Sequence, residues 1–164
     1  MIEFKHLEQA LKDYADAIRD QYKDNLERDN RRATGQLISS INTKIVIDGN
    51  EYEIQLQLED YWYYIDEGRG RTTASTPSTP TLQECILDWI RVKQILPHPD
   101  KNGKLPTEEQ LSYMIANKIH REGYEGTHDL EDALYEVDYE TVIEDALDQD
   151  ILGCLDELLA LLNG

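Results

Sequence analysis

Apolar side chains recur every three or four residues at Phe4, Leu7, Leu11, Tyr14, Ile18, Tyr22 and Leu26, with charged residues between them. That period predicts one amphipathic helix over residues 1–30, roughly 40 Å long at about 1.5 Å per residue. A helix of this length overhangs a small core, so part of its stripe is expected to be covered by a neighbouring subunit. Thr34 and Gly35 break it, and a short second helix is expected over 36–41. The period then changes to two. Over 42–59 the run TKIVIDGNEYEIQLQLE alternates Ile45 and Ile47 before an Asp48-Gly49 turn, and Tyr52, Ile54, Leu56 and Leu58 after it. This predicts a β-hairpin with one buried face and a wet face of Glu51, Glu53, Gln55, Gln57 and Glu59.

Beyond the hairpin, DYWYYIDEG is apolar and aromatic enough for a buried helical turn, with Gly68 suited to a left-handed C-cap. Residues 69–81 are expected to form a flexible loop, because the Thr, Ser and Pro of Thr72 to Pro80 supply neither core nor helix. The pairs Thr81/Glu84 and Thr107/Gln110 each have capping-box spacing. The first opens a helix with the stripe Leu82, Cys85, Ile86, Trp89 and Ile90, ended by Pro97 and Pro99. The second opens a helix with Leu111, Met114, Ile115 and Ile119, ended by Gly123. Thr127 is expected to cap another, with Leu130, Ala133, Leu134 and Val137 inward. The last segment places Val142, Ile143, Ala146, Leu147, Ile151, Cys154, Leu155, Leu158, Leu159 and Leu162 along one side. The expectation is one α+β domain spanning 1–164. It has a long N-terminal helix, a central antiparallel hairpin or small sheet, and several C-terminal helices packed on it, the helical part covering 82–163.

Charge narrows the choice of partner. Sixteen Lys and Arg against thirty-four Asp and Glu give a net charge of −18, which disfavours adhesion to nucleic acid or to an anionic bilayer and favours protein partners. From Glu122 to Gly164 there are fourteen Asp and Glu and no Lys or Arg. Helical spacing of Leu, Ile and Val through that block argues for order. Cys85 and Cys154 fall inside apolar stripes and are expected to be buried thiols in a reducing compartment. No signal-peptide pattern opens the chain, and no run approaches the ~20 apolar residues that span a bilayer.

Motifs for chemistry are sparse. In YYIDEGRGR, Gly68 and Gly70 are followed by Thr73 where a dinucleotide fingerprint needs its third Gly, and no Gly-Lys-Ser/Thr occurs. The histidines at 6, 98, 120 and 128 make no His-x-x-x-His pair, and there is no Cys-x-x-Cys or nucleophile elbow. No enzymatic activity and no cofactor are expected. The run HPDKNGKLPTEE can be laid on a calcium loop with Asp100, Asn102 and Glu109 as ligands. His98 stands where that loop needs Asp, however, and a plain turn before a helix cap explains the same residues. Tyr61, Trp62, Tyr63 and Tyr64 have no basic neighbours to bind a nucleic-acid backbone, which favours a role in core or interface.

Three stretches in order, ATGQLISSI (33–41) before the hairpin, YYIDEGRGR (63–71) after it, and WIRVKQI (89–95) followed by IANKIHREGYEGTHDLEDAL (115–134), together resemble the neck or tail-completion proteins of tailed bacteriophages. The likeness spans most of the chain from Ala33 to Leu134 and stops short of the acidic C-terminus. It implies a virion structural protein of α+β fold, assembled in the host cytoplasm as a sixfold or twelvefold homo-oligomeric ring. Such a ring sits between portal or adaptor and tail proteins, and DNA passes through it without sequence-specific binding. On that footing Tyr61, Trp62, Tyr64, Arg69 and Arg71 are candidate subunit-interface residues, the arginines reaching a neighbour's acids. Glu51, Glu53 and Glu59 are candidates for lining the channel. A different class, an acidic decoy that imitates DNA against a host factor, fits the charge as well.

Overall fold

The N-terminal periodicity forms a 24-residue helix, α1 (Lys5–Arg28). After it come α2 (Gln36–Ser40), β1 (Asn42–Asp48), β2 (Glu51–Gln57), α3 (Trp62–Asp66), β3 (Gly68–Arg69), α4 (Leu82–Val92), α5 (Glu108–Glu122), β4 (Tyr124–Glu125), α6 (Asp129–Glu136) and α7 (Glu140–Asn163). The architecture is α+β, as the sequence predicts. The computed structural model describes residues 4–28, 35–49, 51–73, 79–99 and 101–163. The helix break at Thr34, the middle of the Thr/Ser/Pro connector and Asp100 lie outside the described residues. The chain divides into two compact units, the first made of Met1–Asp29, Ile38–Glu59 and Asp129–Gly164, the second of Asn30–Leu37 and Asp60–His128.

In the first unit α1 is the element on which the others pack: α7, α6 and the hairpin all touch it. Its buried residues Ala10, Ala15, Ile18, Tyr22, Asn25 and Leu26 cover a wide arc, broader than the stripe a helix needs against a single neighbour. The hairpin strands run antiparallel with Asp48 opposite Glu51, so Asp48, expected in the turn, is instead the last residue of β1. Thr43 Oγ1 donates to Asp16 Oδ1 of α1 at 3.3 Å. Thr43, Ile45 and Ile47, with Leu56, Ile54 and Tyr52 opposite them, therefore form the face turned to α1. That face is only half-buried, and Ile47 near the turn is exposed.

Polar side chains fasten α6 to α1. The fully buried Asn25 donates from Nδ2 to the Asp129 carbonyl at 3.1 Å, and Gln21 Nε2 donates to Glu136 Oε2 at 2.7 Å. Next along the chain, Tyr139 stacks on Tyr14 with ring centroids 4.5 Å apart. Ala133 faces inward as expected, but Leu134 is exposed, since an eight-residue helix presents only one narrow side to α1.

In the second unit α4 and α5 pack through Ile86, Ile90 and Ala116, joined by Leu82, Ile95, Leu111, Ile115 and Ile119. Ser112 and Ala116, one turn apart and buried, let the helices approach closely. Both capping boxes form. The apolar stripe expected on α4 divides: Leu82, Ile86 and Ile90 face α5, while Cys85 and Trp89 are exposed. Cys154 is half-buried, so neither thiol is a core residue. One neighbour covers only about a third of a helix's circumference, and these stripes are wider than that.

Helix α4 stops before the prolines named by the sequence. Ile95 N–H donates to the Ile90 carbonyl at 2.9 Å and Gln94 N–H to the Arg91 carbonyl at 3.2 Å, which is a Schellman ending with Gln94 in the left-handed position, φ 52°. Ile95 then folds back onto the α4/α5 core. A side chain in that conformation costs about 1 kcal/mol relative to glycine. Gln94→Gly is expected to raise stability by up to about 1 kcal/mol, read as an increase in thermal midpoint.

Candidate functional site: a glycine-locked junction and a leucine-faced helix

The stretch YYIDEGRGR folds as α3 followed by β3. Glu67 N–H closes the last turn on the Tyr63 carbonyl at 2.9 Å, and Gly68 reverses the chain at φ 77°, as the sequence predicts. Gly68 and Arg69 then pair with Glu125 and Tyr124. The carbonyls at the end of a helix have no partners within it. Here the Ile65 and Asp66 carbonyls accept the N–H groups of Thr127 and His128, at 3.1 and 3.0 Å. Three glycines permit this approach, and a Cβ on Gly68 would overlap the Gly126 amide. A Cβ on Gly126 would overlap the Asp66 carbonyl, and one on Gly123, itself at φ 76°, would overlap the Arg69 carbonyl.

The aromatic turn is not buried, contrary to the sequence reading. Tyr61, Tyr63 and Tyr64 are exposed and Trp62 is half-buried, with Tyr63 edge-on to both Trp62 and Tyr64 at centroid distances of 6.0 Å. The buried residue of α3 is Asp66, because the backbone of residues 126–128 covers that side of the helix. Tyr63, Tyr64, Glu67, Arg69, Glu122 and Tyr124 border an open cavity of about 670 Å³. Burial pushes the Tyr124 hydroxyl pKa up, partly offset by the Arg69 guanidinium. Arg69 Nη2 donates to Thr72 Oγ1 at 2.9 Å, and that hydroxyl lies 2.8 Å from His120 Nδ1. Arg69 is thus half-buried and anchored within its own unit, whereas Arg71 is exposed.

The calcium-like run is divided differently. Glu109 belongs to the first turn of α5, where its carboxyl is held below the usual carboxylate range by its own amide, then by the Thr107 hydroxyl and by Arg91. Arg91 also donates from Nε to Glu108 Oε2 at 3.1 Å. Asn102 is exposed. His98, Lys104, Glu109 and Tyr113 border a second open cavity of about 640 Å³. Among the described residues no three His, Cys, Asp or Glu side chains converge as a metal site would require. Glu51 and Glu53 are exposed on the outer face of β2, opposite Asp48 and Val46, with Lys44 on the same face. Glu59 lies past the end of β2, its N–H donating to Ser40 Oγ at 3.2 Å.

A feature the sequence reading missed lies on α7. Asp150, whose side chain is only 4% exposed, accepts the His6 N–H on Oδ1 at 3.2 Å and the Leu7 N–H on Oδ2 at 2.9 Å, and His6 Nδ1 lies 2.7 Å from Oδ1. These are second- and third-position amides of α1, the donors that an N-cap side chain ordinarily satisfies. Burial alone would push the Asp150 carboxyl pKa up. The Leu7 amide, with the His6 ring and amide, reverses that and holds it below the usual carboxylate range. An acid on an apolar stripe, one turn from both Ala146 and Cys154, was the available signal.

The α7 face turned to α1 therefore consists of Ala146 and Asp150, with Ile143 and Cys154 half-buried beside them. The leucines lie elsewhere. Ile151, Leu152, Leu155, Leu158 and Leu159 are about half exposed, and Leu161 and Leu162 are 80% and 82% exposed. The sequence reading gave the overhang to α1; α7 overhangs instead, because α1 starts opposite Asp150 and α7 continues past it. Among the described residues no helix is long and apolar enough to cross a membrane. Compared with protein-family profiles, characterised proteins and solved structures, the chain gives no match.

Two substitutions test these contacts. Gly126→Ala is expected to cost about 2 kcal/mol or more and to alter the near-UV signal of the aromatic turn. Gly70→Ala, whose Cβ would meet nothing, should change stability by no more than about 0.5 kcal/mol. Asp150→Asn is expected to lower the thermal midpoint near neutral pH. A depressed carboxyl stabilises the fold above its unfolded value of about 3.9 and loses that effect as pH falls toward the lower folded value, so the gap between wild type and variant should narrow as pH falls below about 5.

Proposed function

We propose that this chain is a structural component of the neck of a tailed-phage virion, forming a ring that joins the portal to the tail and lets DNA pass. The observation that carries this reading is the junction of the second unit. Segments of YYIDEGRGR and HREGYEGTHD, far apart in sequence, meet backbone to backbone there through Gly123 and Gly126. Two of the stretches that carry the likeness are thus in contact in this chain.

Charge supports the same reading. A channel for DNA gains from carboxylates at its wall, because each Lys or Arg that neutralised a phosphate would add affinity and slow the genome's passage. Glu51 and Glu53 offer such a wall, moderated by Lys44 on the same face. Arg71, exposed beside the junction, is the better placed of the two arginines to reach a neighbour's acids; Arg69 contributes by holding the Thr72 turn. An acidic decoy would instead work as a monomer or dimer displaying carboxylates, and the most exposed part of α7 displays leucines.

Negative-stain microscopy and light scattering of the purified chain test the proposal. Rings of uniform copy number are expected, with Arg69→Glu plus Arg71→Glu reducing their size or abolishing them. A wild-type chain that stays a monomer or dimer at high concentration, or a double variant with unchanged oligomer size, would count against the ring and against the arginines' part in it, respectively.

A further inference from the structure

We propose that the distal half of α7 is a self-association surface, packing against the same helix from at least two other copies of this chain. The proposal deepens the assembly reading above by naming a surface that it leaves open. The observations come from the helix itself. Past Asp150, α7 runs about 20 Å at 1.5 Å per residue beyond the start of α1.

Placed at about 100° per residue, Leu161, Cys154, Leu158, Ile151, Leu162, Leu155, Leu159 and Leu152 follow one another around an arc of about 180°. The acids in this half, Asp156 and Glu157, stand on the opposite side with Gly153 and Ala160. The leucine and isoleucine side chains from 151 to 162 together expose on the order of 800 Å², close to what each partner contributes to a stable protein interface.

The width of the arc sets the number of copies. A two-stranded seam buries a narrow stripe, here Ile151, Leu155, Leu158 and Leu162 at alternating spacings of four and three. It would leave Leu152 and Leu159 in water on one flank and Leu161 on the other. A helix with two neighbours covers both flanks, which requires at least three copies.

Charge decides what kind of occupant fits. The chain carries −18, yet the arc has no carboxylate. Copies can meet along it while their acids point into solvent, where salt screens them. A membrane surface fits poorly, because an interfacial helix draws on Lys and Arg on its polar face and α7 has none. The helix also needs outside support: Gly153 stands in its middle, its last turn carries no basic residue, and α1 does not extend along it.

The test is light scattering of the full chain over a wide concentration range, wild type against Leu155→Gln plus Leu158→Gln plus Leu159→Gln. Asp156→Lys plus Glu157→Lys serves as a back-face control. The expected result is a wild-type mass at least three times that of one chain and retained by the control, falling at least threefold in the leucine variant with its hairpin and α4/α5 thermal transition preserved. Discrete trimers or larger bundles without rings would support this surface and count against the neck. Rings that persist in the leucine variant would overturn this surface and leave the neck reading intact. A monomeric wild type would overturn both.

Discussion

The carboxylate of Asp150 receives the second- and third-position amides of α1 although it lies 144 residues beyond His6, and the layout of the first unit depends on that contact. Most helices take an N-cap from the residue that precedes them. Here the cap comes from the middle of another helix, so capping α1 and docking α7 are one event. The buried carboxylate is stabilised by amide dipoles and the His6 ring. Its position along α7 also sets where α1 ends its cover and the leucine face begins.

Around that contact α1 serves three neighbours. Asn25 and Gln21 hold α6, Asp16 holds the hairpin through Thr43, and Ala15, Ile18, Tyr22 and Leu26 supply the apolar burial. The polar contacts set register and the apolar ones contribute most of the stabilisation, in line with the modest net value of a hydrogen bond beside that of a buried Ile or Leu. The second unit solves a different problem. Its aromatic turn is too short to build a core, so the backbone of 124–128 lies directly on the end of α3, and the absence of side chains at Gly123 and Gly126 makes the contact possible. Asp66 is enclosed as a result, while Tyr61, Tyr63 and Tyr64 stay at the surface.

On the distal half of α7 the acids and the leucine face lie on separate sides of the helix. Acids on the outer face of β2 and on the back of α7 keep the surface hydrated. In the proposed self-association the uncharged arc of α7 would leave binding to apolar burial, which is insensitive to salt compared with ion pairing.

Local chemistry was legible in the residues alone. The capping boxes at Thr81 and Thr107 need only a hydroxyl and an acid or amide three positions on, and both form. The hairpin needs only a period of two and a glycine at its turn, and it forms in the register that pairs Ile45 with Ile54. The left-handed ending at Gly68 was equally local. What tertiary structure decided was which apolar residues would be covered. Cys85, Trp89, Leu134 and the leucines of α7 share the periodicity of core residues, but a helical period records that a face is apolar and not what meets it. The Asp150 cap and the closure of Gly126 on Asp66 join residues far apart in sequence, and no local pattern specifies such pairs, because they exist only once the chain has brought those backbones together.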